Sequence, residues 1–395
     1  MIFEYIHGDN SKEIIDLDKE VKAQDKFVTI NSDSKLEFIK EFVPLFRANQ
    51  KLVLFDKNHK QLLSFHEEND IDSLKGADKL AEDTQLLFFT SGSSGFPVGA
   101  FKTRENLTKE VEVLKELVTR NEIKKVVVTV PFVHIYGVLA GLLLPMSLGD
   151  IKLVVKEDFL PYELIEEAKE GHTLIITTPV FIKALGKLSD EIDLSSDIFI
   201  SSTGPLAVED AEVLETLYST SLMQLFGSTE TGGIAYKFSN STKWIPLKHA
   251  DVKTYNERLG VSSPFISQHL LEDGIKVLAQ PFKTEDIIEI DEEGFSLLGR
   301  SNKIIKIAGK RISALAIEAL LERINGVERA VVELVYKKEL LRSEQILITL
   351  QSKEELKKSF IKEKINECYG VLTIPFKVVY AEEIKLSAMG KKVLF

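Results

Sequence analysis

Short runs of β-branched and aromatic residues recur through the first two thirds of the chain, separated by stretches whose apolar positions return every three or four residues. The runs KLVLF from Lys51, QLLFFT from Gln85, KKVVVTV from Lys124, IKLVV from Ile151, TLIITT from Thr173 and DIFISS from Asp197 predict strands. Between them, Glu105 to Thr119 (ENLTKEVEVLKELVT) and Tyr162 to Glu170 predict helices. This alternation predicts parallel strands joined by helical crossovers, the α/β class. After about residue 245 the pieces shorten and read as hairpins, with DEEG as a turn signal between IIEI and FSLLG. From Arg300 a small α+β module is expected. It comprises a strand pair around Ile304 to Ile307, a helix from Ala314 to Arg323, strands Ala330 to Tyr336 and Gln345 to Leu350, a helix from Lys353 to Glu367 and a strand from Phe376 to Tyr380. The expected division is a large multi-subdomain lobe with mixed or parallel sheets, 1–299, and a small mobile domain, 300–395.

One stretch imitates a membrane span: Val126 to Gly149, VVVTVPFVHIYGVLAGLLLPMSLG, uncharged and about long enough. Pro131 and Pro145 interrupt it and His134 sits inside, so a buried strand, a turn and an apolar helix are expected instead. The start, MIFEYIHGDNSKEII, has no basic region followed by an apolar run, so no secretory leader is expected. With one cysteine, Cys368, no internal disulfide can form, and a cytoplasmic location is expected. The 44% apolar and 28% charged composition excludes disordered, collagen-like and disulfide-scaffold classes.

Charge sharpens the division. The formal net charge is −11, which argues against nucleic acid as a partner. From Arg300 onward 19 Lys and Arg face 12 Glu and no Asp, a net of +7, so the preceding residues carry −18. A basic module beside an acidic body could close over an anionic ligand; a solvated charge bias is the plainer alternative.

The densest chemical signal is Thr90 to Gly99, TSGSSGFPVG, directly after a predicted strand. Small residues and hydroxyls at this density let backbone N–H and side-chain O–H groups wrap around phosphate oxygens. It is not a Walker A loop, because no Gly-Lys-Ser/Thr follows. A flexible surface loop is the bland alternative.

TSGSSGFPVG resembles the TSGSTGxPKG loop of the AMP-forming acyl-adenylate enzymes, the superfamily of acyl-CoA synthetases, carrier-loading adenylation domains and luciferases. Further matches follow in that family's order. They are PFVHIYG from Pro131, SSTGPL from Ser201, FGSTETGG from Phe226, FKTEDIIEIDEEGFSLLGR from Phe282, GRSNKIIKIAGKRISALAIE from Gly299, and LSAMGKK near the end. Together they cover the chain from about residue 85 to its end. The resemblance implies two reactions: a carboxylate attacks the α-phosphate of ATP to give acyl-AMP and pyrophosphate, and the acyl group then passes to a thiol of CoA or of a carrier-protein phosphopantetheine.

By that resemblance Thr90, Ser91, Gly92, Ser93, Ser94 and Gly95 hold the β- and γ-phosphates. Phe226, Gly227, Ser228 and Thr229 form the segment at adenine and the α-phosphate, and Glu230 holds Mg²⁺. Ser202, Thr203, Gly204 and Pro205 line the adenine and acyl pocket. Asp286 receives the ribose hydroxyls, with Arg300 beside it. Lys391 is the catalytic lysine, and His134 lines the acyl pocket and gates access to the adenylate.

Several positions depart from the family pattern. Val98 replaces a lysine of the phosphate loop, and Lys102 and Arg104 are near enough in sequence to compensate. Glu285 replaces the glycine before Asp286, and Asn302 replaces a charged residue at the interdomain hinge. Only about 90 residues precede the loop, so the N-terminal subdomain must be reduced relative to full-length members. The shortening, with FKTRENLTKEVEVLKELV and STETGGIAYKFSNSTKWIPLKHADV, resembles compact acyl-AMP ligases found beside bacterial aryl-polyene and lipid-type biosynthesis genes, which implies an aryl or fatty acid substrate. An adenylate-binding protein without turnover is the alternative from another class, and a phosphotransferase is a third.

Overall fold

The computed structural model describes residues 1–30, 32, 34–54, 71–73, 76–90, 98–119, 122–188, 191–239, 241–272, 274–300, 304–307, 310–336, 344–369, 375–386 and 392–393. They fall into two compact units, Met1–Asp251 with Val261–Phe282, and Val252–Gly260 with Lys283–Phe395.

In the first unit nine described strands form one sheet. Its order is Ile245–Pro246, Gly232–Phe238, Ser221–Ser228, Ile198–Ser201, Thr173–Thr177, Lys125–Val128, Lys152–Lys156, Ile2–Ile6 and Lys12–Ile15. The central strands are all parallel. Val126–Val128, Leu174–Ile176 and Ile198–Ile200 are at most 2% exposed, which is why they read as unbroken apolar runs rather than alternating ones. On one face Val127, Ile175, Phe199 and Leu222 pack with Leu164, Ile165, Ile182, Leu185, Leu214 and Tyr218 of the crossover helices.

Six further strands build a second sheet, in the order Gly274–Val277, His269–Glu272, Val98–Thr103, Thr84–Thr90, Leu52–Leu54 and Val28–Ile30. A helix outside the predicted set, Lys35–Arg47, follows the last of these along the chain; its Phe38, Phe42 and Phe46 stack at i,i+4 with ring centroids 5.5 and 5.3 Å apart. The helix Arg104–Val118 starts on a reciprocal cap. Thr103 accepts from the Asn106 N–H and the Asn106 side chain accepts from the Thr103 N–H, both at 3.0 Å.

The membrane-like stretch resolves as the strand Lys125–Val128, a turn, and three short helical pieces, Ile135–Val138, a π-helical Leu139–Leu143 and Leu144–Leu148. Among the described residues no helix is long and apolar enough to cross a membrane.

In the second unit Phe282–Asp291 pairs antiparallel with Gly294–Arg300, and Asp251–Tyr255 and Arg258–Ser262 complete their sheet. By packing, the smaller unit therefore begins ahead of the expected division at 299/300, because this hairpin is tied to 252–260. Beyond it, Ala314–Glu322 and Lys358–Tyr369 cover a three-stranded sheet of Val327–Tyr336, Glu344–Ser352 and Phe376–Tyr380. Ile317, Leu321, Ile361 and Ile365 bury against Ala330, Val332, Ile346, Ile348 and Leu350. The second of these helices begins at Lys358 rather than at Lys353.

Candidate active site

Three predicted segments of the first unit, around His134, Ser202 and Phe226, follow the carboxyl ends of parallel strands, where α/β sheets place ligands. Ser202, Thr203, Gly204 and Pro205 leave the strand Ile198–Ser201. The Ser202 hydroxyl donates to the carbonyl of Leu225 in the neighbouring strand at 2.9 Å. Thr203 holds φ at +81°, a left-handed backbone rare for a threonine. From the other side, the Tyr136 hydroxyl sits 2.8 Å from the Ile200 carbonyl and 3.1 Å from that of Thr177, which docks the PFVHIYG segment onto the same strand ends. His134 is the N-cap residue of Ile135–Val138, and its carbonyl accepts from the Val138 N–H at 3.1 Å. Gly137 explains the spacing of that motif: a Cβ there would lie 2.0 Å from the Pro131 carbonyl oxygen.

Phe226, Gly227 and Ser228 end the strand Ser221–Ser228, and Thr229 and Glu230 make the turn into Gly232–Phe238. Gly227 is demanded by a close approach, since a Cβ would sit 2.2 Å from the Gly232 oxygen. Ser228 and Thr231 lock the turn reciprocally: the Ser228 N–H donates to Thr231 Oγ1 at 3.0 Å and the Thr231 N–H donates to Ser228 Oγ at 3.2 Å. Phe226, the residue expected at adenine, packs against Trp244 with ring centroids 5.5 Å apart.

The Glu230 carboxylate is partly exposed and has no hydrogen bond or ion pair among the described residues. It is an ionisable hard oxygen donor of the kind that suits Mg²⁺. Among the described residues, the hydroxyls of Ser201 and Ser267 are buried without a hydrogen-bond partner. Ser201 directly precedes the pocket segment, and the Ser267 N–H donates to the Glu230 carbonyl at 2.9 Å.

The two ends of the expected phosphate loop lie side by side, because Thr90 pairs with Val98. Ser91, Gly92, Ser93, Ser94 and Gly95 fall outside the described residues, as do Asn302 and Lys391. Lys102 does not stand in for the cation missing at Val98. It is 1% exposed, and its ammonium donates to the carbonyls of Phe265 at 2.7 Å and Glu230 at 3.1 Å. Arg104 lies over the Phe46 ring, 5.5 Å from its centroid.

In the second unit Asp286 and Arg300 are cross-strand partners, with Arg300 Nε 3.7 Å from Asp286 Oδ1. Burial raises the Asp286 carboxyl above its ordinary range, and the Arg300 charge opposes that rise. Glu285, the departure from the family glycine, is engaged by Arg258 at 2.9 Å, so its charge is compensated locally. Sequence reasoning missed Glu110, a buried carboxylate whose charge acts on Lys102. A carboxylate placed between Leu107, Val111 and Leu114 on the apolar stripe of its helix was the signal that could have revealed it.

Residues 20–277 match the protein family described as AMP-binding enzyme. The chain belongs to this family. The 4-coumarate–CoA ligase of Cereibacter sphaeroides is 26% identical over 254 residues, covering 63% of this AMP-binding enzyme and 56% of that protein. The 3,4-dihydroxybenzoate–[aryl-carrier protein] ligase of Bacillus anthracis is 22% identical over 272 residues, covering 68% and 63%. The chain thus spans about half the length of the curated relatives it matches. The fold is shared with O-succinylbenzoate coenzyme A synthetase of Bacillus subtilis in complex with ATP and magnesium ion (TM-score 0.76, 18% identity, covering 93% of this chain and 88% of that one). It is shared too with McyG A-PCP complexed with phenylalanyl-adenylate (TM-score 0.80, 15% identity, covering 99% and 90%).

Proposed function

We propose that this AMP-binding enzyme activates a carboxylic acid with ATP and passes the acyl group to a thiol of CoA or of a carrier-protein phosphopantetheine. The observation that carries the reading is the convergence, at one end of the parallel sheet, of the His134 turn, the Ser202 segment and the Phe226–Glu230 hairpin. In the first reaction a carboxylate oxygen bonds to the α-phosphorus while the bond from that phosphorus to pyrophosphate breaks. In the second the thiol sulfur bonds to the acyl carbon, AMP leaves with the former carboxylate oxygen, and the thiol proton goes to solvent.

The chain's contribution is placement and charge. Phe226 offers an aromatic face to adenine, Asp286 accepts from the ribose hydroxyls, and the Thr229 hydroxyl reaches the α-phosphate. A magnesium ion held by Glu230 would neutralise phosphate charge. Residues 90–95 would wrap the β- and γ-phosphates, and Lys391 would offset charge at the reacting carboxylate and phosphate. The smaller unit would bring Lys391 for the first reaction and the Ile304–Gly309 hairpin for the second, with Asn302 at the hinge. The single, exposed Cys368 suits a reducing cytoplasm.

The curated relatives include aryl and long-chain fatty acid ligases, which agrees with an aryl or fatty acid here. The test is acid-dependent ATP–pyrophosphate exchange over aliphatic, aryl and amino acids, followed by thioester formation with CoA and with holo carrier protein. AMP and pyrophosphate as products support the reading. ADP as product, or nucleotide binding with no exchange across the panel, contradicts it.

A further inference from the structure

Beneath the Thr229–Glu230 turn lie two buried, oppositely charged side chains that the proposed reaction does not use. Lys102, on Val98–Thr103, is 1% exposed, and Glu110, on Arg104–Val118, is 5% exposed. Burying a charge is costly unless its partners are well placed, so a lysine on one element and a glutamate on the next demand a reason. Both reach the backbone of the hairpin that carries Thr229 and Glu230, and Lys102 also ties it to Phe265. Lys102 Nζ donates to the Glu230 carbonyl at 3.1 Å and to the Phe265 carbonyl at 2.7 Å. Glu110 Oε1 accepts from the Gly233 N–H at 2.7 Å.

Contact extends to the glycines. A Cβ on Gly232 would lie 2.4 Å from Glu110 Oε2 and one on Gly233 would lie 3.1 Å from Oε1, so the glycine pair lets the carboxylate reach the main chain. Asn106, one turn before Glu110, donates to the Pro264 carbonyl at 2.7 Å and fixes the segment that supplies Phe265. Burial pushes the Lys102 ammonium down to about 8 and the Glu110 carboxyl up to about 7, each opposed by the other's charge.

We infer that Lys102 and Glu110 are positioning residues: through separate hydrogen bonds they hold the backbone at Glu230 and at Gly233, and so fix the Thr229 hydroxyl and the Glu230 carboxylate for nucleotide and magnesium. The inference deepens the proposed function and rests on it for its consequence, though not for the clamp itself. Lys102 also lies in the strand that begins at Val98, directly after the phosphate loop. One rigid element thus joins two predicted phosphate-handling segments.

The test uses the full chain, Lys102→Met, Glu110→Gln and the double variant. Amide exchange by mass spectrometry should speed at least tenfold in peptides spanning residues 226–236 of Lys102→Met, with peptides of Thr173–Thr177 and Ile198–Ser201 unchanged. Affinity for Mg-ATP by calorimetry should weaken at least tenfold, and affinity for AMP without magnesium by less. Because each single variant leaves a buried charge unpaired, either can melt early. The double variant has no such charge and should recover its melting temperature, yet keep the fast exchange and the weak Mg-ATP binding. A double variant with wild-type protection and wild-type Mg-ATP affinity would overturn the inference, as would unchanged values in a folded Lys102→Met. Wild-type protein that fails to bind Mg-ATP would instead sink the proposed function, and the exchange arm would still decide whether the clamp exists.

Discussion

Lys392, the second lysine of the terminal pair, is already engaged inside the smaller unit. Its ammonium is held by Glu318 at 2.9 Å, Glu322 at 2.6 Å and the Ala330 carbonyl at 2.7 Å, all within the smaller unit. On the role proposed for Lys391, Lys391→Ala should lower acid-dependent pyrophosphate exchange by roughly 10²- to 10³-fold, while thioester formation from supplied acyl-AMP largely survives. Lys392→Ala should act on the melting of the smaller unit instead. Full exchange in Lys391→Ala contradicts the assignment. Lys35 supplies a pH prediction. Its ammonium is buried and donates to the Thr129 and Lys156 carbonyls, and burial lowers its pKa from 10.5 to about 8. Between those values the unfolded chain holds the proton and the folded chain has released it, so stability rises with pH across that window. The rise is on the order of 3 kcal/mol at most. Denaturant unfolding at several pH values should show this increment in the wild type and its loss in Lys35→Met; identical slopes would refute it. Polar residues like these were the least legible from sequence. Lys102 reads as a phosphate cation from its distance to Val98 along the chain, and only its burial shows that it faces inward.

Elements with strong periodicity were legible, and those defined by packing were not. The strands Thr173–Thr177 and Phe376–Tyr380 coincide with their predicted runs within a residue, because burial on the sheet demands the same apolar residues that betray them. The π turn Leu139–Leu143 has no such signature; it depends on how the segment seats against the strand below, where a Cβ on Gly141 would lie 3.0 Å from Val128. The helix Lys35–Arg47 carried a readable Phe38, Phe42, Phe46 stripe, masked by Pro44 within it. The two motif glycines make an element-scale prediction. Gly137→Ala and Gly227→Ala would each press a methyl into a carbonyl oxygen at 2.0 and 2.2 Å. Each should cost about 1–3 kcal/mol, measured by thermal or denaturant unfolding. Exchange activity should fall further than stability, since both glycines shape the proposed site. Wild-type melting and wild-type exchange in either variant would refute the close approach.

At the scale of the molecule, the sequence motifs announced the family, while the partition of the hairpin Phe282–Asp291 and Gly294–Arg300 followed from sheet pairing that no local pattern encodes. The charge split remains the most testable global feature. If the +7 of residues 300–395 helps that module approach a nucleotide-loaded, acidic body, raising salt from about 50 to 500 mM should weaken Mg-ATP affinity and exchange while leaving the melting temperature nearly unchanged. Salt-insensitive affinity would reduce the bias to surface solvation. The central claim is that a carboxylate oxygen of the substrate becomes bonded to the α-phosphorus. It is tested most directly by supplying an accepted acid with ¹⁸O in its carboxylate and weighing the nucleotide product by mass spectrometry. The account predicts one ¹⁸O atom in AMP per thioester formed; unlabelled AMP, or label-free ADP with the acid unchanged, would contradict it.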